Sequence, residues 1–531
     1  MTMWDEESID SLRDIVGLEP YAILAYGSRV AGYASKDSDY DYIYIVEDFK
    51  PRIKYVYHES GDTYISVLVV DKSFFEEDIY IGIHGEFVSG RLYSVYKPIL
   101  NSGYITELEI HLKKRAILEE LRLLKLKYGL LLRHMRIPIK YFLLSRLKKR
   151  MTAYPPVRYS YYKTFYGEKG AENLRRSIEG FDVAASHLAV DKIFEYSDGY
   201  IYNIDLDKIP SSPKELFKYL YRGVVMYFTH GRSASVSLEV VLDEVREKVR
   251  RGVRSIRVPK ELENPEILIE IRNVYFTPGS IDFDGLVKSI FGYKAVLKGF
   301  RKAGLLSNLY ILEVEVGDEI KRVVVKNFPI ISIFLKWLWL VIWLHGLKRF
   351  TLNPWERMYR EVDGLITLGR QGFKVPKLYA VVWGDRLIVE EYIKGVRLDR
   401  IGKDFKDYIG RAAEMIGYIH SRVGASLGDT KPQNFIVTDG DIYLVDLEQF
   451  NSDDCLEWDL AELILYTHIF FRRFGGRTEN ISSILDGYSR GNPRYRDVFR
   501  RLLNIRVLMA FLPLTPVNIF INLRKAIENY L

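Results

Sequence analysis

Cysteine is almost absent from this chain. A single residue, Cys455, among 531 cannot close an internal disulfide, so no disulfide-linked partner is expected, and no Cys/His group has zinc-ligand spacing. The opening MTMWDEESID is acidic, so no secretory leader is read there, and with the lone cysteine this predicts a cytoplasmic protein. Charge of one sign is scarce too. Seventy-seven basic against 70 acidic side chains leave a net +7, which permits an anionic or nucleic-acid partner without requiring one. No internal repeat occurs. What is present is 48% hydrophobic and 28% charged, a balance that excludes disordered, fibrous and polytopic membrane classes. At roughly 100–200 residues per domain, the length predicts about three domains, whose cores the 39 Tyr and 27 Phe help to fill.

The first chemical pattern lies in YAILAYGSRVAGYASKDSDYDYIYIV, residues 21–46. An apolar run ends at Gly27-Ser28, and a second strand follows Asp39 and Asp41. Two carboxylates two apart share a face on a strand and repel unless a cation lies between them. Mg²⁺, a hard cation that takes carboxylates together with substrate phosphates, suits such a pair. Gly27 lets the backbone approach a phosphate, and Ser28 can donate to it. Gly-Ser, ten residues, then Asp-Tyr-Asp resembles the minimal nucleotidyltransferase domain of the polymerase-beta type. The resemblance implies transfer of a nucleoside monophosphate, with Gly27 and Ser28 binding the nucleotide and Asp39 and Asp41 holding metal. That family adds a third carboxylate on a later strand. Here the strand is Tyr64–Val70, with no acid inside it; Asp62, Asp71 and Ser66 are the candidates for that place.

Residues 105–150 read as long helices with basic clusters at Lys113, Lys114 and Arg115 and at Lys148, Lys149 and Arg150, either solvated faces or phosphate contacts. The stretch 151–167 mixes Arg158 and Lys163 with Tyr154, Tyr159, Tyr161, Tyr162 and Tyr166, just after Tyr141. Such residues serve base stacking or packing on the first domain. Lys248, Arg250, Arg251, Arg254 and Arg257 form a further basic run, read as a charged linker surface or a winged-helix-like module.

The strongest pattern is residues 416–449. Asp429 and Asn434 are five apart with Lys431-Pro432 between them, and Asp446 follows twelve later at the end of an apolar strand, after the turn Asp439-Gly440-Asp441. In phosphoryl transfer one Asp takes the proton of the attacking hydroxyl, an Asn and a second Asp hold Mg²⁺, and a nearby Lys neutralises the moving phosphoryl group. The loop LGDTKPQN with its DLE metal motif resembles the protein-kinase-like fold, in the manner of the small atypical RIO and KEOPS-complex kinases. The resemblance implies ATP and Mg²⁺ as cofactors, Asp429 and Lys431 as catalytic residues, and Asn434 and Asp446 as metal ligands. It implies Lys326 as the ATP lysine and Glu361 as its partner, with Glu356 competing. It places a hinge at Glu391–Ile393 offering backbone groups to adenine, a phosphate-covering loop at Gly299 and Gly304, and an acidic anchor at Asp459 and Glu462. Gly428 stands where an activation-loop-sensing Arg usually lies. Only twelve residues, 447–458, separate Asp446 from Asp459, too few for a full activation segment.

Between Lys326 and Glu361 runs the apolar stretch 328–347. Its length suits a membrane span, but Lys336 near the centre costs about 2.5–3.5 kcal/mol there, and spanning would part the lysine from its glutamate. Packing on another domain, or a peripheral membrane or protein contact, are the surviving readings. The tail 506–523, broken by Pro513 and Pro516, reads as lobe core. The expected fold class is α+β multidomain: a nucleotidyltransferase-like mixed sheet over 1–104, a helical and basic middle over 105–284, and a bilobal protein-kinase-like fold over 285–531, with lobes dividing near residue 395. Expected partners are nucleotides, with RNA or protein acceptors open. Alternatives are a kinase with a non-catalytic nucleotide- or RNA-binding module, or a membrane-surface adaptor.

Overall fold

The computed structural model describes residues 6–36, 38–60, 63–155, 157–210, 225, 259–302, 308–329, 351, 353–452, 455–470, 477–504, 507 and 517–531. The basic run 248–257, nearly all of the apolar stretch 328–347, Gly304, Asp62 and most of 506–516 lie outside the described residues. No described helix is long and apolar enough to cross a membrane. The chain divides into two compact units, Met1–Tyr128 with Leu132–Glu270, and Gly129–Leu131 with Ile271–Leu531.

The first unit contains a five-stranded sheet: β1 Ala22–Tyr26, β2 Tyr40–Val46, β3 Ile53–Ser60, β4 Thr63–Asp71 and β5 Lys97–Leu100. Their order is β3-β4-β2-β1-β5. Strand β2 runs parallel to β4 and antiparallel to β1. One face buries Ile23, Tyr42, Tyr44 and Val67 in a shared core. Strand β2 starts at Tyr40, so Asp39 precedes it and is exposed.

The middle region is divided between the units rather than standing apart. Helices α4 Ser102–Tyr128, α5 Ile139–Ala153, α6 Val157–Tyr166 and α7 Gly170–Val190 belong to the first unit, while residues from Ile271 belong to the second. Of the basic clusters on α4 and α5, Lys113, Arg115, Lys149 and Arg150 turn to protein partners, which corrects both earlier readings for them, while Lys148 is exposed. Lys113 is fully buried and pairs with Glu109 at 2.5 Å. Arg146 lies 2.6 Å from Glu119 and 3.2 Å from Glu120, and Arg115 lies 2.9 Å from Glu86. Lys149 reaches Glu120, and Arg150 donates to the Tyr161 hydroxyl. Buried charge survives only with such partners, so these residues hold helices together. The aromatic stretch folds as α6. Tyr161 is buried, and Tyr162 stacks on Tyr166.

The second unit has a six-stranded sheet. Its strands are β6 Tyr275–Thr277, β7 Val296–Lys302, β8 Leu309–Val316, β9 Glu319–Asn327, β10 Leu378–Val382 and β11 Leu387–Glu391, in the order β6-β10-β11-β9-β8-β7. Helix α8, Phe283–Phe291, covers one face, burying Leu286 and Val287 against Leu312, Val314, Val323, Val325 and Val389. Helix α9, Pro354–Arg370, begins with Asn353 as N-cap, its side chain accepting from Trp355 N, and with Pro at the first position. Met358, Glu361, Val362, Leu365 and Leu368 form its buried stripe. Beyond the sheet, β12 Val396–Arg397 pairs with a hairpin, β13 Phe435–Thr438 and β14 Asp441–Leu444. Asp439 and Gly440 at its tip both have positive φ, 46° and 84°, the geometry that a two-residue hairpin turn demands. Helices α10 Phe405–Arg422 and α12 Arg477–Gly491, with α11 Leu456–Phe470 between them in sequence, follow, and the helices Tyr495–Leu502 and Val517–Glu528 come after them. Helices α10 and α12 meet backbone to backbone. A methyl on Gly487 would overlap the Gly410 carbonyl, and one on Gly417 would lie 2.7 Å from the Tyr488 carbonyl.

Candidate functional site

In the second unit, residues far apart in sequence converge on Lys326. It stands near the end of β9, on the face opposite the Val323/Val325 core positions, and is buried. Strand β11 is its neighbour in register, Lys326 opposite Ile388 and Val324 opposite Glu390, so Glu390 is its diagonal neighbour. The Lys326 ammonium lies 2.5 Å from Glu361 Oε1 on α9, 3.2 Å from Glu390 Oε1 and 4.0 Å from Asp446 Oδ1. Glu356, the competing partner, turns instead to the Thr351 hydroxyl and to Arg360.

Burial opposes the charge on Lys326, but Glu361, Glu390 and Asp446 outweigh it and hold the ammonium well above its ordinary range. The carboxylates outnumber the cation. Burial, reinforced by Glu390 and Asp446 against the pull of Lys326, pushes Glu361 up to about 8. Burial raises Glu390 likewise. Glu361 Oε2 and Glu390 Oε2 are buried with no hydrogen-bond donor. The cluster therefore carries excess negative charge that a further cation or a proton would relieve.

The Asp429 loop is fixed from below. Asp459 accepts from Leu427 N at 2.5 Å, Gly428 N at 2.7 Å and His420 Nε2 at 3.0 Å. Glu462 accepts from Thr430 N at 2.7 Å. The Lys431 ammonium sits 3.0 Å from Asp429 Oδ1 and 3.8 Å from Glu462 Oε1. Burial pushes Asp429 up, against the pull of Lys431. Asn434 Nδ2 donates to the Asp429 carbonyl at 2.9 Å, which orients its amide and leaves Oδ1 as an acceptor. The Asn434 carbonyl accepts from Val445 N at 2.8 Å and so sets Asp446 beside it. Asp446 itself has φ 70°, a left-handed conformation that is uncommon outside glycine and clusters at functional sites.

Asn434 and Asp446 thus offer hard oxygens at one place. Magnesium is commonly held by one or two protein oxygens together with substrate phosphates, so the donor set fits. Among the described residues no group of three or more His, Cys, Asp or Glu is placed to hold a metal without such help. Glu391 amide donates to the Lys377 carbonyl at 2.8 Å, so an adenine contact at Glu391 falls to its carbonyl; Ile393 lies two residues beyond the strand. Gly299 lies inside β7, opposite Glu313, not in a loop.

In the first unit Gly27, Ser28 and Asp41 come together. Gly27 has φ 84° and caps the short helix α2, Ser28–Ala31. A Cβ there would overlap Asp41 Oδ2. Tyr26 and Ser66 are the register partners of Asp41 on either side. The neighbouring-strand position is therefore the buried Ser66. Asp71 caps helix α3, Lys72–Tyr80, accepting from Phe74 N, Phe49 N and the Ser73 hydroxyl, and these bonds hold it below the usual carboxylate range despite burial. Asp71 is thus committed to the fold.

Sequence reasoning missed Glu390, Arg357, Glu448 and Arg91. Glu390 was visible as the acid just before the expected hinge. Arg91, with its guanidinium carbon 5.0 Å from the Tyr26 ring centre and Nη2 donating to Tyr55 OH at 3.0 Å, had no sequence signal.

No protein-family model matches the chain, and no curated protein matches it. Among solved structures it is similar to the crystal structure of a choline kinase from Cryptosporidium parvum Iowa II. The two are 12% identical; the match covers 46% of this chain and 90% of that one, with a TM-score of 0.27. So loose a likeness carries no argument about the chemistry here.

Proposed function

We propose that the second unit is an ATP- and Mg²⁺-dependent phosphotransferase of the atypical kinase type. The observation that carries this is the convergence of Lys326–Glu361 with the Asp429–Lys431–Asn434–Asp446 set, from segments as much as 120 residues apart. Lys326 would bind the α- and β-phosphates while Glu361 orients it. Asn434 and Asp446 would hold Mg²⁺, which supplies charge neutralisation across the phosphates when bound. Asp429 Oδ would take the proton from the acceptor hydroxyl, and burial, which raises its proton affinity, suits it to that task. Lys431 would neutralise the moving phosphoryl group. The Asp459 anchor keeps Asp429 in place during the step. With only twelve residues between Asp446 and Asp459, a small-molecule or RNA hydroxyl is as suitable an acceptor as a protein.

For the first unit, Gly27 and Ser28 would cradle a phosphate while Asp39 and Asp41 hold a cation. Ser66 beside Asp41 and the capping role of Asp71 favour nucleotide binding over nucleotidyl transfer, since among the described residues the later strand brings no third carboxylate.

Calorimetry of ATP binding in the presence of Mg²⁺ tests the reading of the second unit, run on a background with Asp39→Ala and Asp41→Ala. Binding is expected to fall sharply in Lys326→Met and Asp446→Asn and to survive in Asp429→Asn. Binding unchanged in all three would refute it.

A further inference from the structure

We propose that the segment after Asp446 is a permanent clamp that holds helix α9, and with it the Lys326–Glu361 pair, in the closed arrangement without nucleotide and without phosphorylation. This rests on the phosphotransferase reading for its purpose, though not for its geometry.

Three kinds of contact join the segment to α9 and to the stretch leading into it. Arg357 on α9 meets Glu448 through a fork: its Nε lies 3.1 Å from Glu448 Oε2 and its Nη2 donates to the same oxygen, with both side chains largely buried. Gln449, fully buried, bonds Thr351 in both directions, accepting from its amide at 3.1 Å and donating to its carbonyl at 3.3 Å. Gly364 presents bare backbone to the segment. A methyl there would lie 3.0 Å from Leu447 Cβ and 3.1 Å from Phe450 Cγ.

The far end of the segment is tied as well. Asn451 exchanges two backbone bonds with Ser426, at 2.8 and 3.0 Å, three residues before Asp429. Residues 447–451 therefore link the helix that carries Glu361 to the loop that carries Asp429, directly after the metal-binding Asp446. A long activation segment can swing such a helix in and out; this short strap, bonded at both ends, has no slack to do so. Arg357, Glu448 and Gln449 are positioning residues. They touch no substrate and act through Glu361 and Asp446.

Hydrogen exchange of the full chain, free of nucleotide and dephosphorylated, tests the clamp. Wild type is expected to protect amides 358–365 of α9 as strongly as those of α10. Glu448→Gln and Arg357→Met should each speed exchange of 358–365 and 447–450 at least about tenfold, consistent with loss of a charge-assisted bond, while α10 is unaffected. Arg357→Lys, which keeps the charge and loses the fork, should fall between and guards against a variant that simply unfolds. The Glu448→Gln/Arg357→Met double variant should exchange no faster than either single one. Unprotected wild-type α9, or single variants that leave its exchange unchanged, would overturn the proposal. Protection that responds as predicted in a protein that binds no ATP would leave the clamp standing and sink the phosphotransferase reading instead.

Discussion

Replacing Asp459 with Asn should loosen the Asp429 loop at a calculable cost. Asp459 is fully buried, and its two oxygens accept three bonds: Gly428 N on Oδ1, and Leu427 N with His420 Nε2 on Oδ2. An asparagine of the same shape keeps one oxygen. It can satisfy at most the donors on that side, and its amide then faces N–H groups on the other. One or two charge-assisted bonds are lost, each contributing about 1.5–3 kcal/mol, so the expected destabilisation is roughly 2–5 kcal/mol. For a unit of this size, about 1 kcal/mol shifts the midpoint by about 2–4 °C, which predicts a fall of about 4–20 °C in the thermal transition of the second unit. His420 relays the effect, because its Nδ1 bonds the buried Tyr488 hydroxyl at 2.8 Å. Scanning calorimetry of the full chain reads the outcome, with the transition of the first unit as internal control. A second-unit midpoint within about 2 °C of wild type would show that Asp459 does not anchor the loop.

Gly487→Ala should destabilise the second unit by about 1–3 kcal/mol, because the methyl meets the Gly410 carbonyl and forces α10 and α12 apart; an unchanged midpoint would contradict that contact. Gly27→Ala should destabilise the first unit and abolish the nucleotide binding proposed for it, since the residue has positive φ and no room beside Asp41; binding titrations on a Lys326→Met background check this. Ligand-free stability of the second unit should fall as pH rises from about 4.5 to 8. Burial pushes Glu361 and Glu462 up to about 8 and Glu448 up to about 7, so each binds its proton more tightly folded than unfolded. Their contribution is complete below the unfolded value and is lost as pH passes the folded one. Added Mg²⁺ and ATP should flatten the decline. A midpoint that rises across this range would contradict the excess negative charge assigned to the site.

What could be read from the sequence was whatever chemistry keeps close in the chain. Asp429, Lys431 and Asn434 fall within six residues, Asp439-Gly440 sets the hairpin that returns to Asp446, and Gly27-Ser28 precedes Asp41 by one loop and helix start. Lys326 and Glu361 were matched through a resemblance, and the structure brings them to 2.5 Å. Partners without fixed spacing stayed hidden. Arg357 and Glu448 are 91 residues apart, and nothing in either sequence neighbourhood names the other. Lys149 and Arg115 read as solvated or phosphate-seeking because their carboxylates, Glu120 and Glu86, come from another helix and a loop. Asp71 was open as a metal ligand until the helix start that it caps was located; a cap and a ligand use the same carboxylate oxygens.

The most direct test of the account uses ATP labelled separately at the α and γ phosphates, supplied with Mg²⁺ to the full chain and offered protein, RNA and small hydroxyl acceptors. Wild type, Asp429→Asn and the pair Asp39→Ala with Asp41→Ala run in parallel. The account predicts transfer of label from the γ position that is lost in Asp429→Asn and retained in the Asp39/Asp41 variant, with no transfer from the α position. Transfer of γ label that persists in Asp429→Asn would contradict the central claim, and α transfer lost only in the Asp39/Asp41 variant would show that the first unit is a transferase despite Ser66.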